Sequence, residues 1–516
     1  MIQPIMVGVD IGTTGIRSVA YRLDGSSTAV ATEEYPLSTD QSGIAEQDAD
    51  TIMMAMEAVI SRTVRLLGDE AAQIKGIAFS SVLHSFLAIG EDGRPLSRLM
   101  TWADTRGQIY LEELKQKLDA KALYRRTGCP LHPMYSLLKI YWLKKQQPEL
   151  FKRVTWFGSI KDYAFHRLTG KRVVDRSIAS GSGVYNLFTL EWDPEVLDIL
   201  GISQEKMPAV VSTTTQHSLQ SGIAQRLGLP AGLPVIIGAG DGMMANVGVG
   251  AVKAGQINIT IGTSGAIRMA ADQPKTDEKG RTWCYNLADG RWMLGGAINN
   301  GGISFRWVRD KFAETEQRVA EKLGLDSYSL LATYAQKVPA GANGLILLPF
   351  FTGERAPYWN ADARGVLFGL TLNHDKRHII RAVLEGICYR MKSVLLSLEE
   401  ITGKAEEIRV SGSFTRSEVW LQILADVLGR EISLPNVEEG AAFGAAILGF
   451  YTLGLLPSID VAVDMVGIKK TFIPNPNNYA TYEKLYTMYE QVYWNLQEQF
   501  SMISNFQRSE MGKEHD

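Results

Sequence analysis

The chain has 516 residues, 45% of them hydrophobic, and its 53 Lys and Arg nearly balance 56 Asp and Glu for a net charge of −3. That length and apolar content can bury two cores, so two globular domains are expected, and scattered basic residues with no recurring run exclude a nucleic-acid footprint. No apolar run reaches the roughly 20 residues of a membrane-spanning helix, the N-terminus lacks a basic stretch followed by an apolar one, and Cys129, Cys284 and Cys388 are too far apart for a zinc or disulfide framework. A cytoplasmic protein without membrane or nucleic-acid partners is the expectation.

Residues 7–17, VGVDIGTTGIR, form a short apolar strand running into a glycine–threonine turn. SVAYRL then turns at Asp24–Gly25–Ser26 and resumes as TAVATEEYPL, which predicts three antiparallel strands. Ile52, Met56, Val59, Ile60, Val64 and Leu67 recur at helical spacing behind a cap at Asp48 or Asp50. GIAFSS at 76–81 is the next strand, leading into the polar SSVLHS and a hairpin around Asp92–Gly93. Residues 107–170 read as mostly helical, and PVIIGAGD at 234–241 as a buried strand ending on an acid, followed by the glycine-rich GMMANVGVGA.

After a short polar break at 253–255 the first turn is echoed by INITIGTSGAIR at 257–268, which divides the chain into domains 1–252 and 253–516. AAFGAAILGFYTLG predicts a helix whose small residues allow close backbone approach. From Asn477 a single amphipathic helix is expected, fraying by about Gln507 into disordered last residues, and its apolar face can pack on the chain's own domains or on a second copy in a homodimer.

In both repeats hydroxyls and amide N–H groups point into a tight turn, the makings of a phosphate cradle. Asp10 stands where the second copy has Thr260, and a carboxylate beside phosphate is tolerable with a cation between them, for which magnesium is the natural candidate. Asp241, at the carboxyl end of its strand, can take the proton of an attacking hydroxyl or simply cap the following helix. His84 past a strand end, with Trp102, Asp104 and Arg106 in TWADTR, combines an aromatic surface with hydrogen-bonding groups and suits a polyol. GxxxxGK[ST], GxGxxG after a strand and HExxH are all missing, and the SxxK at Ser136–Lys139 lacks its SDN and KTG companions.

MYSLLKIYWLKKQ at 134–146, GVLFGLTLNHDKRHIIRAVLE at 365–385 and GERAPYWNADARG just before it, in this order and spacing, make nearly the whole chain resemble the FGGY family of carbohydrate kinases. The resemblance implies an α/β fold of two duplicated actin-like, Hsp70-like (ribonuclease H-like) ATPase domains flanking a central cleft. It further implies that Asp10 supports magnesium and the phosphates of ATP, with Thr13, Thr14 and Arg17 along the first turn. Thr263 would touch the ATP phosphates, Gly302 would border the nucleotide, and Gly412, Ser413 and Ser417 match the adenosine loop, where many relatives have glycine in place of Ser413. Asp241 matches the catalytic base, and Leu83 and His84 the sugar-holding pair.

SSVLHS together with DRSIASGSGVYNLFTLEWD is most similar to the members acting on gluconate, so phosphorylation of the terminal hydroxyl of D-gluconate is expected. Arg106, Lys161 and His84 are candidates for its carboxylate. The alternatives are a kinase for xylulose or another polyol and, in a different class, a catalytically silent sugar sensor.

Overall fold

A computed structural model describes residues 3–40, 42–288, 290–437 and 440–513, which divide into two compact units. Unit 1 comprises Met1–Ala254, Ala270–Leu294 and Val437–Gly467; unit 2 comprises Gly255–Met269, Gly295–Asn436 and Ile468–Asp516. The sequence suggested contiguous halves, and the structure returns two segments of the second half to unit 1.

Unit 1 is built on β1 (Ile5–Ile11), β2 (Gly15–Arg22), β3 (Ser27–Glu34), β4 (Ile74–Ser81), β5 (Gln216–Ser218) and β6 (Pro234–Gly240), ordered β5-β6-β4-β1-β2-β3. The β1-β2-β3 meander is antiparallel as expected, whereas β1, β4 and β6 run parallel, so their carboxyl ends meet at one edge. Helix α1 (Ala49–Leu67) begins at Asp48, whose carboxylate accepts from Thr51 N at 2.7 Å. Asp50, the other candidate cap, instead takes the Tyr163 hydroxyl at 2.9 Å. The six apolar residues of its predicted face are all buried, against the core that includes Val7, Val9, Ile77 and Val235. FLAIGEDGRPL turns back at Asp92–Gly93 as expected, with Gly90 N donating to Arg94 O and Leu96 N to Ala88 O, and its strand Leu87–Ile89 also pairs with Trp156–Gly158.

The glycine-rich stretch after β6 is helix α2 (Asp241–Gly248), and α3 (Gly440–Thr452) packs on it and on the sheet. Contact is backbone on backbone. A Cβ on Gly8 would lie 2.1 Å from Ala442 O, and one on Gly444 would lie 1.9 Å from Met244 O. Small residues in AAFGAAILGF are what let α3 reach unit 1 from late in the chain.

Unit 2 repeats the strand pattern. After the long α4 (Lys376–Thr402), β9 (Glu407–Ser411) lies parallel to β7 (Gln256–Ile261), which is antiparallel to β8 (Gly265–Ala271). The C-terminal tail is two helices, α5 (Pro476–Asn495) and α6 (Gln497–Lys513), so the expected fraying at Gln507 does not occur. Leu496 breaks the helix with non-helical ψ, and α6 is held by Arg364 donating to Ser504 Oγ (2.7 Å) and Gln507 Oε1 (2.7 Å), with Phe500 buried beneath. The disorder expected at the very end falls on Glu514–Asp516, outside the described residues.

Alanine normally stabilises a helix interior over glycine by about 1 kcal/mol. At Gly444 the sign should reverse, because the new methyl strikes Met244 O: Gly444→Ala is expected to cost on the order of 1–3 kcal/mol in urea unfolding. Gly222→Ala, whose methyl meets nothing within 4 Å, should be neutral or stabilising.

Candidate active site

The first turn closes by Gly12 N donating to Gly15 O at 2.9 Å, and the Tyr35 hydroxyl clamps it by donating to Gly12 O at 2.6 Å. Its glycines serve for room rather than for a left-handed backbone. A Cβ on Gly15 would sit 2.9 Å from Glu33 O, and neither Gly12 nor Gly15 has positive φ. Thr13 is tied into the turn by Gln47 Nε2 on its carbonyl (2.7 Å) and by Trp102 Nε1 on its hydroxyl (3.1 Å), while Thr14 is exposed at the tip.

Asp10 is paired across the ladder with Arg17 on one side and Ser80 on the other, and Ser80 Oγ donates to it at 2.6 Å. Burial raises the affinity of the Asp10 carboxyl for a proton, opposed by the Ser80 hydrogen bond and the Arg17 charge. Two strands over, about 10 Å at ordinary strand spacing, β6 ends at Gly240 beside Ser81 and hands the chain to Asp241. A bulge at Gly238, where φ is +69° and a Cβ would lie 1.7 Å from Phe79 O, sets the direction of that exit. Asp241 is half-buried in the first turn of α2, and its Oδ1 accepts from Gly242 N at 2.6 Å.

His84 adopts left-handed φ of +63°, uncommon for a residue with a side chain, and its Nδ1 lies 2.7 Å from Gly181 O. A carbonyl can only accept, so Nδ1 carries the proton and Nε2 of the neutral ring is an acceptor. The ring meets Tyr135 and Tyr285 edge-on, and their hydroxyls are 2.8 Å apart. Leu83 fills the space beside Gly240 and Gly181.

DRSIASGSG forms helix α7 (Arg176–Ser180) and its flanks. Ser177 Oγ accepts from Gly240 N at 3.0 Å while Gly181 O holds His84, so this one segment grips both the strand end before Asp241 and the histidine.

Two of the three proposed carboxylate partners, Arg106 and Lys161, are already engaged. Arg106 donates from Nε and Nη2 to Asp104 (2.7–3.1 Å) and from Nη2 to Glu46 (2.5 Å), and its guanidinium lies 4.4 Å from the centre of the Trp142 ring. Asp104, 1% exposed, also accepts from Ala45 N, so the pair braces this loop rather than offering a spare cation. Lys161 is buried in an ion pair with Asp175 (2.6 Å), and burial lowers its pKa.

In unit 2, Thr260 occupies the place of Asp10, and its hydroxyl lies 2.9 Å from Ser411 Oγ, as Asp10 meets Ser80 in unit 1. Gly302 N donates to Gly262 O and Ile303 N to Thr263 O, pressing the NNGG loop onto this second turn, and a Cβ on Gly301 would lie 2.5 Å from Ser264 O. The GERAPYW segment supports the loop from behind. Glu354 accepts from Asn299 N (2.6 Å), Gly353 O accepts from Asn300 Nδ2 (2.8 Å), and Arg390 on α4, fully buried, reaches Glu354 (3.4 Å) and the ring of Tyr358 (4.2 Å). A cavity of about 250 Å³ opens here, lined by Thr263, Gly302, Ser413 and Ser417 with Phe305 and Tyr328. Gly412 has φ +98° and lies against Ile261 O, where no side chain fits.

Sequence reasoning missed Ser80, Ser177, Tyr135, Tyr285, Phe305 and Glu354. Each enters through pairing between distant segments; Ser80, Tyr135, Ser177 and Glu354 stand inside motifs the sequence singles out, but nothing local gives them their partners.

The N-terminal domain of the FGGY family of carbohydrate kinases matches residues 5–248, and the family's C-terminal domain matches 257–453. A gluconokinase of Bacillus licheniformis is 41% identical over 507 residues, 98% of either chain. A xylulose kinase of Staphylococcus epidermidis is 28% identical over 496 residues, 96% of this chain and 97% of its own. The crystal structure of gluconate kinase from Lactobacillus acidophilus superposes with TM-score 0.91 at 34% identity, covering 97% of this chain and all of that one.

Arg106→Ala would leave Asp104 buried without its cation, an arrangement that costs about 3 kcal/mol. Equilibrium unfolding in urea checks this, and a loss under about 1 kcal/mol would place Arg106 outside the brace.

Proposed function

The chain belongs to the FGGY family of carbohydrate kinases, and from that premise we propose that it transfers the γ-phosphoryl group of ATP to the terminal hydroxyl of D-gluconate, giving 6-phosphogluconate. The observation that carries the substrate is the gradient of likeness, 41% to a gluconokinase against 28% to a xylulose kinase over nearly the same length.

The roles follow from chemistry. Phosphoryl transfer is mainly positioning and charge stabilisation, with a base to take the acceptor proton. Asp241 is that base: half-buried, at a helix N-terminus, with its approach fixed by the Gly238 bulge and by Ser177. His84 accepts a sugar hydroxyl at Nε2, Leu83 and Trp102 shape the apolar side, and Asp104 with Arg106 keeps the Trp102 loop in place. Thr13, Thr14 and Arg17 serve the transferring phosphate. Thr263 and Gly302 hold the nucleotide phosphates, and Gly412, Ser413 and Ser417 border the adenosine.

Magnesium fits the donor set. Among the described residues no three His, Cys, Asp or Glu side chains are grouped to hold an ion alone, and magnesium commonly takes only one or two carboxylates beside water and substrate phosphates. Asp10 would be that carboxylate, and a cation at its edge would offset the burial that disfavours its charge. Bound there, magnesium supplies charge neutralisation to the phosphates. No helix among the described residues is long and apolar enough to cross a membrane, and a cytoplasmic place, where ATP is made, accords with the reading.

A coupled ADP assay over gluconate, xylulose and glycerol tests the substrate: gluconate should give the highest kcat/KM. In the same assay Asp241→Asn should fold normally and lose on the order of 10²–10⁴ in kcat. Near-normal turnover would remove Asp241 from the role.

A further inference from the structure

Ser136–Lys139 matches SxxK, a pattern set aside for want of its companions. The structure gives its lysine another place. Lys139, 1% exposed on helix α8 (Ser136–Gln146), directs its ammonium at three backbone carbonyls: His84 O, Thr101 O at 2.7 Å and Met134 O at 2.9 Å. An ammonium has three protons, so its donors are saturated by carbonyls of three separate segments.

Each of those segments carries a residue of the acceptor site. His84 is gripped directly, Thr101 precedes Trp102, and Met134 precedes Tyr135, whose ring meets His84 at 5.1 Å. The His84 backbone is also in the left-handed region at φ +63°, a conformation that persists in a residue with a side chain only when its surroundings over-determine it. Gly181 fixes the imidazole end through Nδ1, and Lys139 fixes the carbonyl end.

We infer that Lys139 is a positioning residue for the sugar site, holding the His84 backbone left-handed and setting the spacing of His84, Trp102 and Tyr135 from beneath. Burial presses the lysine down to about 7, an energetic burden that three satisfied carbonyls offset. The inference rests on the sugar-kinase reading, and activity of the unaltered chain tests that reading separately.

The experiment measures KM for ATP and for the unaltered chain's preferred sugar in Lys139→Met, His84→Gly and the double variant, with thermal unfolding to confirm folding. If the unaltered chain phosphorylates no sugar, the kinase reading fails. If it is active, Lys139→Met should raise sugar KM about tenfold or more and change ATP KM less than about twofold. In the His84→Gly background the same change should raise sugar KM less than about threefold, since two residues acting as a unit are not additive. An equal rise in both KM values, or a full effect without the histidine, would overturn the inference.

Should Lys139→Met not fold, Lys139→Arg takes its place. It keeps the charge, but its planar fork cannot converge three carbonyls on one atom. The same split in KM is expected, and a sugar KM unchanged in the folded arginine variant would contradict the role.

Discussion

The hydrogen bond from Ser80 to Asp10, 2.6 Å at the carboxyl ends of two parallel strands, is the constraint on which unit 1 depends. A half-buried carboxylate needs partners, and the ladder provides a hydroxyl on one side and Arg17 on the other. Everything nearby is referred to that point: the Gly12–Gly15 turn leaves from it, Tyr35 and Trp102 bind the turn, and Asp241 leaves the next parallel strand but one. Unit 2 makes the same join with two hydroxyls, Thr260 and Ser411. The exchange of a carboxylate for a hydroxyl is the chemical asymmetry of the duplication, and in the proposed reaction a cation would sit with the carboxylate of unit 1. The loops differ as well. Four residues separate the paired Ile11 and Ile16, against three between Ile261 and Gly265.

Around these turns the motifs act as supports more than as ligands. GERAPYW grips the NNGG loop through Glu354 and Gly353, with Arg390 behind. DRSIASGSG ties Gly240 and His84 to one short helix. TWADTR stiffens itself with the Arg106–Asp104–Glu46 cluster. Placement within a few tenths of an ångström is what in-line transfer demands, and buried, saturated hydrogen bonds are a direct way to reach it.

Much of this was legible in the chain because it is local. The α1 face, the Asp48 cap, the β1-β2-β3 meander, both turns and the acid closing β6 are written in neighbouring residues. What was not legible depends on partners far away in sequence. Arg106 looked like a ligand because its own loop is sugar-like, and Glu46, sixty residues earlier, claims it. Tyr285 joins His84 only because β-strand Trp283–Ala288 returns to unit 1, and α3 does so because Gly8 and Gly444 leave room for its backbone. The tail helix has no anchor within its own stretch of sequence, because Arg364, which holds it, lies over a hundred residues upstream.

A carbohydrate kinase acting on the terminal hydroxyl of an aldonate leaves its phosphate on a CH₂ carbon. The most direct measurement is phosphorus NMR of the products formed from equimolar D-gluconate and D-xylulose with ATP and magnesium. One predominant phosphate ester is expected, on gluconate, its phosphorus coupled to the two protons of the terminal CH₂. A predominant xylulose ester, an ester elsewhere on gluconate, or ADP formed without any ester would contradict it.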